Sequence, residues 1–158
     1  MLSFLKDFTG DIDMMEKQPN LNNPSLIIFL ADDDEDDQQL LKDAFTTIDA
    51  NIAFYMADNG KQAINQLSSL DGNKLPCLIV LDYNMPELNG AEVLKQIMQE
   101  QRYMKVPKVI WTTSNSPIYK EYCLSIGADD YLVKPDNIHD IEQMARRMLQ
   151  YCKGNLIN

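Results

Sequence analysis

The sequence predicts an α/β protein built as a doubly wound, five-stranded parallel sheet with helices on both faces. Three observations predict it. Short apolar runs of strand length alternate five times with amphipathic stretches of helix length, from Leu26 onward. The runs are apolar at consecutive positions rather than at every second one, as in strands buried on both sides. The chain has 158 residues, 45 % hydrophobic and 24 % charged, which suits a single globular domain.

Residues 1–25 end in Gln18-Pro19-Asn20-Leu21-Asn22-Asn23-Pro24-Ser25, a stretch dense in turn formers, and read as an N-terminal extension or linker. A short helical turn over Met1 to Phe8 is the weaker alternative to a poorly ordered terminus. The domain proper is expected over 26–152, with a tail over 153–158. Strands are expected over Leu26 to Ala31, Ile52 to Met56, Leu78 to Leu81, Lys108 to Trp111 and Tyr131 to Val133. Helices are expected near Gln38 to Thr47, Lys61 to Leu70, Gly90 to Gln101, Ile118 to Ile126 and Ile138 to Cys152. Leu40, Leu41, Ala44 and Phe45 form the apolar stripe of the first helix, Val93, Leu94, Ile97 and Met98 that of the third, and Met144, Met148 and Leu149 that of the fifth. Right-handed crossovers and short loops favour the flavodoxin-like order 2-1-3-4-5, in which chemistry gathers beyond the carboxyl ends of the strands.

Composition excludes several functions. Fourteen basic against 24 acidic residues leave a net charge of −10, which repels polyanions and argues against direct nucleic-acid contact. The longest wholly apolar run, Leu26 to Ala31, is six residues, too short to span a bilayer, and no basic-then-apolar leader opens the chain. No membrane association is expected. Cys77, Cys123 and Cys152 are far apart and odd in number, and His139 is the sole histidine, so neither a zinc site nor a disulfide framework is expected. A reducing cytoplasm is the expected location.

The strand ends carry the chemistry. Six acids, Asp32 to Asp37, follow strand one. The later members suit the first turn of a helix. Asp32 and Asp33 stand where the strand leaves the core, and their mutual repulsion calls for a cation. Strand three ends in Leu81-Asp82-Tyr83-Asn84-Met85-Pro86. It lies beside strand one in the expected order, so Asp82 joins the same cluster. Three such carboxylates are hard ligands of the kind Mg²⁺ or Mn²⁺ accepts. Trp111-Thr112-Thr113-Ser114 ends strand four, a weak signal alone, because hydroxyls commonly cap helices. Val133-Lys134-Pro135 ends strand five, roughly 10 Å from strand three, a gap that the four-carbon stem of lysine largely closes.

Together these pieces resemble the response-regulator receiver domains of two-component signalling, of the stand-alone, chemotaxis-regulator-like kind, over nearly all of Leu26 to Cys152. Thr112 follows Asp82 by 30 residues and Lys134 follows it by 52, which fits the family. The resemblance implies that Asp82 accepts a phosphoryl group from a histidine kinase or histidine phosphotransfer protein. It further implies that Asp33, Asp82 and the Asn84 backbone carbonyl ligate Mg²⁺, with Asp32 holding a metal-bound water. Lys134 and Thr112 would contact phosphoryl oxygens, and Thr113 stands where the family usually keeps a small residue. Thr112 and Tyr131 are implied as the switch, the face of helix four, strand five and helix five as the readout, and Asn84 and Ser114 as tuners of phosphoryl lifetime. A homodimer on phosphorylation is possible on the same ground, and the downstream target is not named.

Asp136 departs from the family, which commonly has an aromatic after the Lys-Pro pair. The Lys134–Pro135 peptide is expected to be cis. The roughly 25 residues after strand five suffice for one helix. The chain therefore reads as a stand-alone receiver that docks onto a partner or relays phosphate. Beyond its own phosphorylation and dephosphorylation it would not be an enzyme. A dehalogenase-type phosphatase would want an acid at Asn84, and a flavodoxin would want hydroxyls where the six acids stand. A pseudo-receiver that is not phosphorylated in use is the alternative.

Overall fold

The computed structural model describes residues 26–157, with side chains as far as Gly154. The extension expected over residues 1–25 lies outside the described residues. The strands are β1 (Leu26–Ala31), β2 (Ile52–Ala57), β3 (Leu78–Leu81), β4 (Lys108–Thr112) and β5 (Asp130–Val133). The helices are α1 (Glu35–Ile48), α2 (Gly60–Ser69), α3 (Gly90–Ile97), α4 (Pro117–Ser125) and α5 (Ile138–Ile157). All pairings are parallel and the order is β2-β1-β3-β4-β5, the doubly wound architecture that the sequence predicts.

Alternation along buried strands splits the core in two. Phe29, Ile79, Leu81 and Ile110 face α2, α3 and α4, whereas Ile28, Leu30, Val80 and Trp111 face α1 and α5. Val93, Leu94 and Ile97 carry the stripe of α3 into the first layer. Ile141, Ala145, Met148 and Leu149 carry that of α5 into the second, with Met144 half-buried beside them. One stripe residue differs. Leu40 is 40 % exposed, because Gln38, Leu41, Ala44 and Phe45 take the inward positions of α1.

Boundaries shift where caps decide them. Asp34 accepts from the backbone N–H groups of Asp36 and Asp37, so α1 starts at Glu35, three residues before the expected start. The Asn89–Glu92 capping box starts α3, and Pro117 occupies the first turn of α4. At the other end, α5 runs on to Ile157, past the expected end at Cys152.

Two expectations are corrected. The Lys134–Pro135 peptide is trans, the isomer that an X–Pro bond favours by roughly 0.5–1 kcal/mol in the absence of a tight turn demanding cis. Cys77 and Cys152 are disulfide-bonded across 75 residues, and Cys123 is free and buried. An odd cysteine count with wide spacing could not reveal this pair. The last turns of α5 return to the amino end of β3, and that return brings the two sulfurs together.

Candidate functional site

Register alone sets two aspartates side by side. Ala31 pairs with Leu81 across β1 and β3, and the next residues are Asp32 and Asp82. The Asp82 backbone N–H donates to the Ala31 carbonyl (2.9 Å), which extends the ladder one step past the strand end. Gly90 makes room for this turn. A Cβ there would stand 2.3 Å from the Asp82 carbonyl oxygen, so only glycine lets α3 begin so close.

Both carboxylates are buried, Asp32 at 0 % and Asp82 at 4 % exposure, while Asp33 is exposed at the rim. One carboxylate oxygen from each of Asp32, Asp33 and Asp82 lies within 4.8 Å of the others, a spacing that suits a metal ion. Asp32 Oδ1 accepts from the Asp34 N–H (3.0 Å), and Asp82 Oδ1 accepts from the Asn84 N–H (3.3 Å). Two buried side-chain polar atoms among the described residues lack a hydrogen-bond partner, and one is Asp32 Oδ2. Its compensation comes instead from an ion pair with Lys134 at 2.8 Å. The oxygen-rich donor set of these three carboxylates fits a hard divalent cation such as Mg²⁺ or Mn²⁺.

The cation present in the chain itself is Lys134. It follows β5, where Thr112 pairs with Val133 and the Lys134 N–H donates to the Thr112 carbonyl (2.7 Å). Its Nζ lies 2.8 Å from Asp32 Oδ2, 2.8 Å from Asp37 Oδ2 and 3.6 Å from Asp82 Oδ2. The contact with Asp32 is an ion pair without hydrogen-bond alignment, whereas Asp37 accepts a true hydrogen bond. Burial pushes the Asp82 carboxyl up to about 7, and the Asp32 charge adds to this while Lys134 opposes it. Asp32 is also raised, by burial. For Lys134, burial pulls downward, yet the Asp32 and Asp37 carboxylates outweigh it and the net shift is upward.

The remaining residues singled out from the sequence ring this centre. Thr112 is fully buried, and its Oγ1 accepts from the Ser114 N–H (3.3 Å). The buried Tyr131 donates its hydroxyl to the Ser114 carbonyl (2.8 Å). Thr113, Asn84 and Asp136 are exposed at the mouth. Asn137, the residue after Asp136, caps α5 by accepting from the Asp140 N–H (2.9 Å).

Two residues at the site were not singled out from the sequence. In the sequence Asp37 reads as one more acid of a helix's first turn, and its role as a partner of Lys134 depends on how α1 sits against β5. Gln38 sits at a core-facing position of α1 and hydrogen-bonds beneath Asp32. Its signal was faint: a lone amide in line with the apolar stripe.

This centre of two buried aspartates, a third acid and a lysine accompanies a match to a family model, the response regulator receiver domain, over residues 28–146. The chain belongs to that family. Among curated relatives, the two-component response regulator ORR3 of Oryza sativa subsp. indica is 36 % identical over 92 residues, 58 % of this chain and 68 % of the relative. The regulator ORR11 of the same subspecies is 37 % identical over 92 residues, 58 % of this chain and 60 % of its own. Among solved structures, the Mn(2+)-bound form of response regulator Rcp1 superposes with a TM-score of 0.68 at 27 % identity, covering 77 % of this receiver and 90 % of that chain. The chemotaxis response regulator CheY4 of Vibrio cholerae gives 0.66 at 25 % identity, covering 78 % and 98 %. The receiver therefore belongs to two-component signalling. Among its described residues, no helix is long and apolar enough to cross a membrane.

Proposed function

We propose that this receiver is switched by phosphorylation of Asp82, with a phosphohistidine of a histidine kinase or phosphotransfer protein as donor. The observation that carries the reading is the buried Asp32–Asp82 pair with the Lys134 ammonium against both. An Asp82 oxygen attacks phosphorus, the P–N bond to the donor imidazole breaks, and the imidazole leaves with a proton. Such a transfer is mostly positioning and charge neutralisation, because anion meets anion. Asp33, Asp82 and the Asn84 carbonyl would hold Mg²⁺, or Mn²⁺ in its place, with Asp32 reaching it through water. The bound ion would neutralise phosphoryl charge. Lys134, already 3.6 Å from Asp82 Oδ2, would shift onto a phosphoryl oxygen, and the Thr112 hydroxyl would take another. The Mn(2+)-bound state named for Rcp1 supports a divalent ion in such a site.

The new dianion would bias Thr112 and Tyr131 between two arrangements, with Asn84 and Ser114 at the mouth tuning how long the acyl phosphate lasts. Readout would run through α4, β5 and α5. Tyr83, next to Asp82, stacks on Tyr119 of α4 with ring centroids 4.5 Å apart. In α4, Ile118 is 76 % exposed and Tyr119, Tyr122 and Leu124 are each 41 % exposed, an apolar face suited to a protein target or a second copy. On this reading the working unit is 26–152, flanked by the extension and tail, and it works without touching nucleic acid or membrane. Its only catalysis is its own phosphorylation and dephosphorylation.

Incubation with acetyl phosphate and Mg²⁺ should label the chain with one phosphoryl group, read by intact mass. Asp82→Asn should abolish labelling and EDTA should suppress it. No labelling of the unmodified chain by acetyl phosphate or by a phosphotransfer protein would favour the pseudo-receiver.

A further inference from the structure

Asp32 is held through its backbone as well as its carboxylate. Gln38, one turn into α1, directs its side chain inward and is 7 % exposed. Its Nε2 donates to the Asp32 carbonyl at 2.6 Å and to the Ala57 carbonyl at 2.8 Å, with Asp58 Oδ1 further off at 3.4 Å. The Ala57 carbonyl also accepts from the Asp32 N–H at 3.1 Å. Both backbone groups of Asp32 are thereby tied to the carboxyl end of β2, one directly and one through Gln38.

The position is unusual for an amide. Leu41, Ala44 and Phe45 make the same face of α1 apolar, and an unpaired amide there would carry a desolvation cost. The two donor hydrogens of Gln38 match the two carbonyls, so the site accepts it without loss. What the pairing fixes is the turn from β1 into α1, the segment that carries both Asp32 and Asp33. Groups that hydrogen-bond to the ligands of a metal orient them, and their loss typically weakens metal binding about 10- to 100-fold.

We propose that Gln38 is a positioning residue for the acid cluster: its side-chain amide clamps the ends of β1 and β2 so that Asp32 and Asp33 meet Asp82 at a metal-binding spacing. The inference rests on the reading of that cluster as a divalent-cation site. Gln38→Met keeps the length of the side chain and removes both donors. Titration calorimetry should show Mg²⁺ binding weakened about 10-fold in this variant. A purely structural role would not produce that change. As a control, Tyr103→Phe removes a buried hydrogen bond to the Leu67 carbonyl away from the acids, and it should leave Mg²⁺ affinity unchanged. An affinity for Gln38→Met within twofold of the unmodified chain would overturn the inference while leaving the cation site standing.

If Gln38→Met does not fold, nitrogen NMR of the unmodified chain decides. The Gln38 side-chain amide protons should exchange slowly with water and shift in step with added Mg²⁺. Rapid exchange, or no shift as Mg²⁺ saturates, would overturn the inference. An unmodified chain that takes up no Mg²⁺ removes the cation reading and the inference with it.

Discussion

Lys108 and Lys134 are both lysines taken out of water, at opposite ends of the same sheet. Lys108 opens β4 and is 1 % exposed, with Nζ donating to the carbonyls of Val106, at 2.7 Å, and Tyr103. Burial pulls its pKa down. Lys134 follows β5 among three carboxylates, which hold it charged against the same burial. The surroundings continue the contrast. Near Lys108 polar groups are matched and fixed, as where Asp130 accepts from the Tyr151 hydroxyl and pairs with Arg147, or where Cys77 is bonded to Cys152. Near Lys134 three carboxylates share one ammonium, so the negative charge exceeds the positive. The amino end of the sheet is built for stability. The carboxyl end keeps an excess of negative charge that an added cation would offset.

The largest expected effect comes from deleting the cation at the carboxyl end. In EDTA at pH 8, Lys134→Met should cost about 3–5 kcal/mol, because two buried carboxylates lose their partner. Added Mg²⁺ should recover part of this, as read by urea unfolding. Reducing Cys77–Cys152 should cost about 2–4 kcal/mol by freeing the unfolded chain, and it should leave Mg²⁺ affinity unchanged. Lys108→Met should cost about 1–3 kcal/mol for two carbonyls left without a donor, and Mg²⁺ should restore none of it. Equal losses and equal Mg²⁺ responses for the two lysine variants would erase the contrast between the ends.

The pH dependence of the unmodified chain tests the carboxyl end alone. The Asp82 carboxyl is raised from 3.8 to about 7 in the fold, so the native state keeps its proton longer than the unfolded chain does. Metal-free stability should therefore fall as pH rises from about 4 through about 7. The Tm should decline across the same range, as read by thermal unfolding in EDTA. Asp82→Asn should flatten the slope, and a slope of opposite sign would show that Lys134 outweighs burial.

Much of this is legible in the sequence alone. Apolar runs of strand length, alternating with helix-length stretches, read as doubly buried strands, and the expected strand order sets Asp32 beside Asp82. Lys134 was placed near Asp82 by the same step, because side-chain length limited which cation could cross two strands. Residues whose role depends on helix rotation were not legible. Leu40 and Gln38 are two positions apart on α1, and the packing of α1 against the sheet turned the amide inward and left the leucine partly in water. Asp37 looked like any acid in a first turn until α1 came to rest against the loop after β5.

By itself the amino-acid order determined the layer architecture, the direction and sequence of the strands, and which acids stand at their carboxyl ends. These follow from local periodicity and from the few ways a right-handed chain can cover a sheet. Tertiary structure decided which partner each buried polar group took. Lys134 took Asp32 and Asp37 ahead of Asp82, Gln38 took two carbonyls, and Cys77 took Cys152. Such pairings act over a few ångströms between residues distant in the chain. They are set by helix rotation and packing depth, which no local pattern encodes.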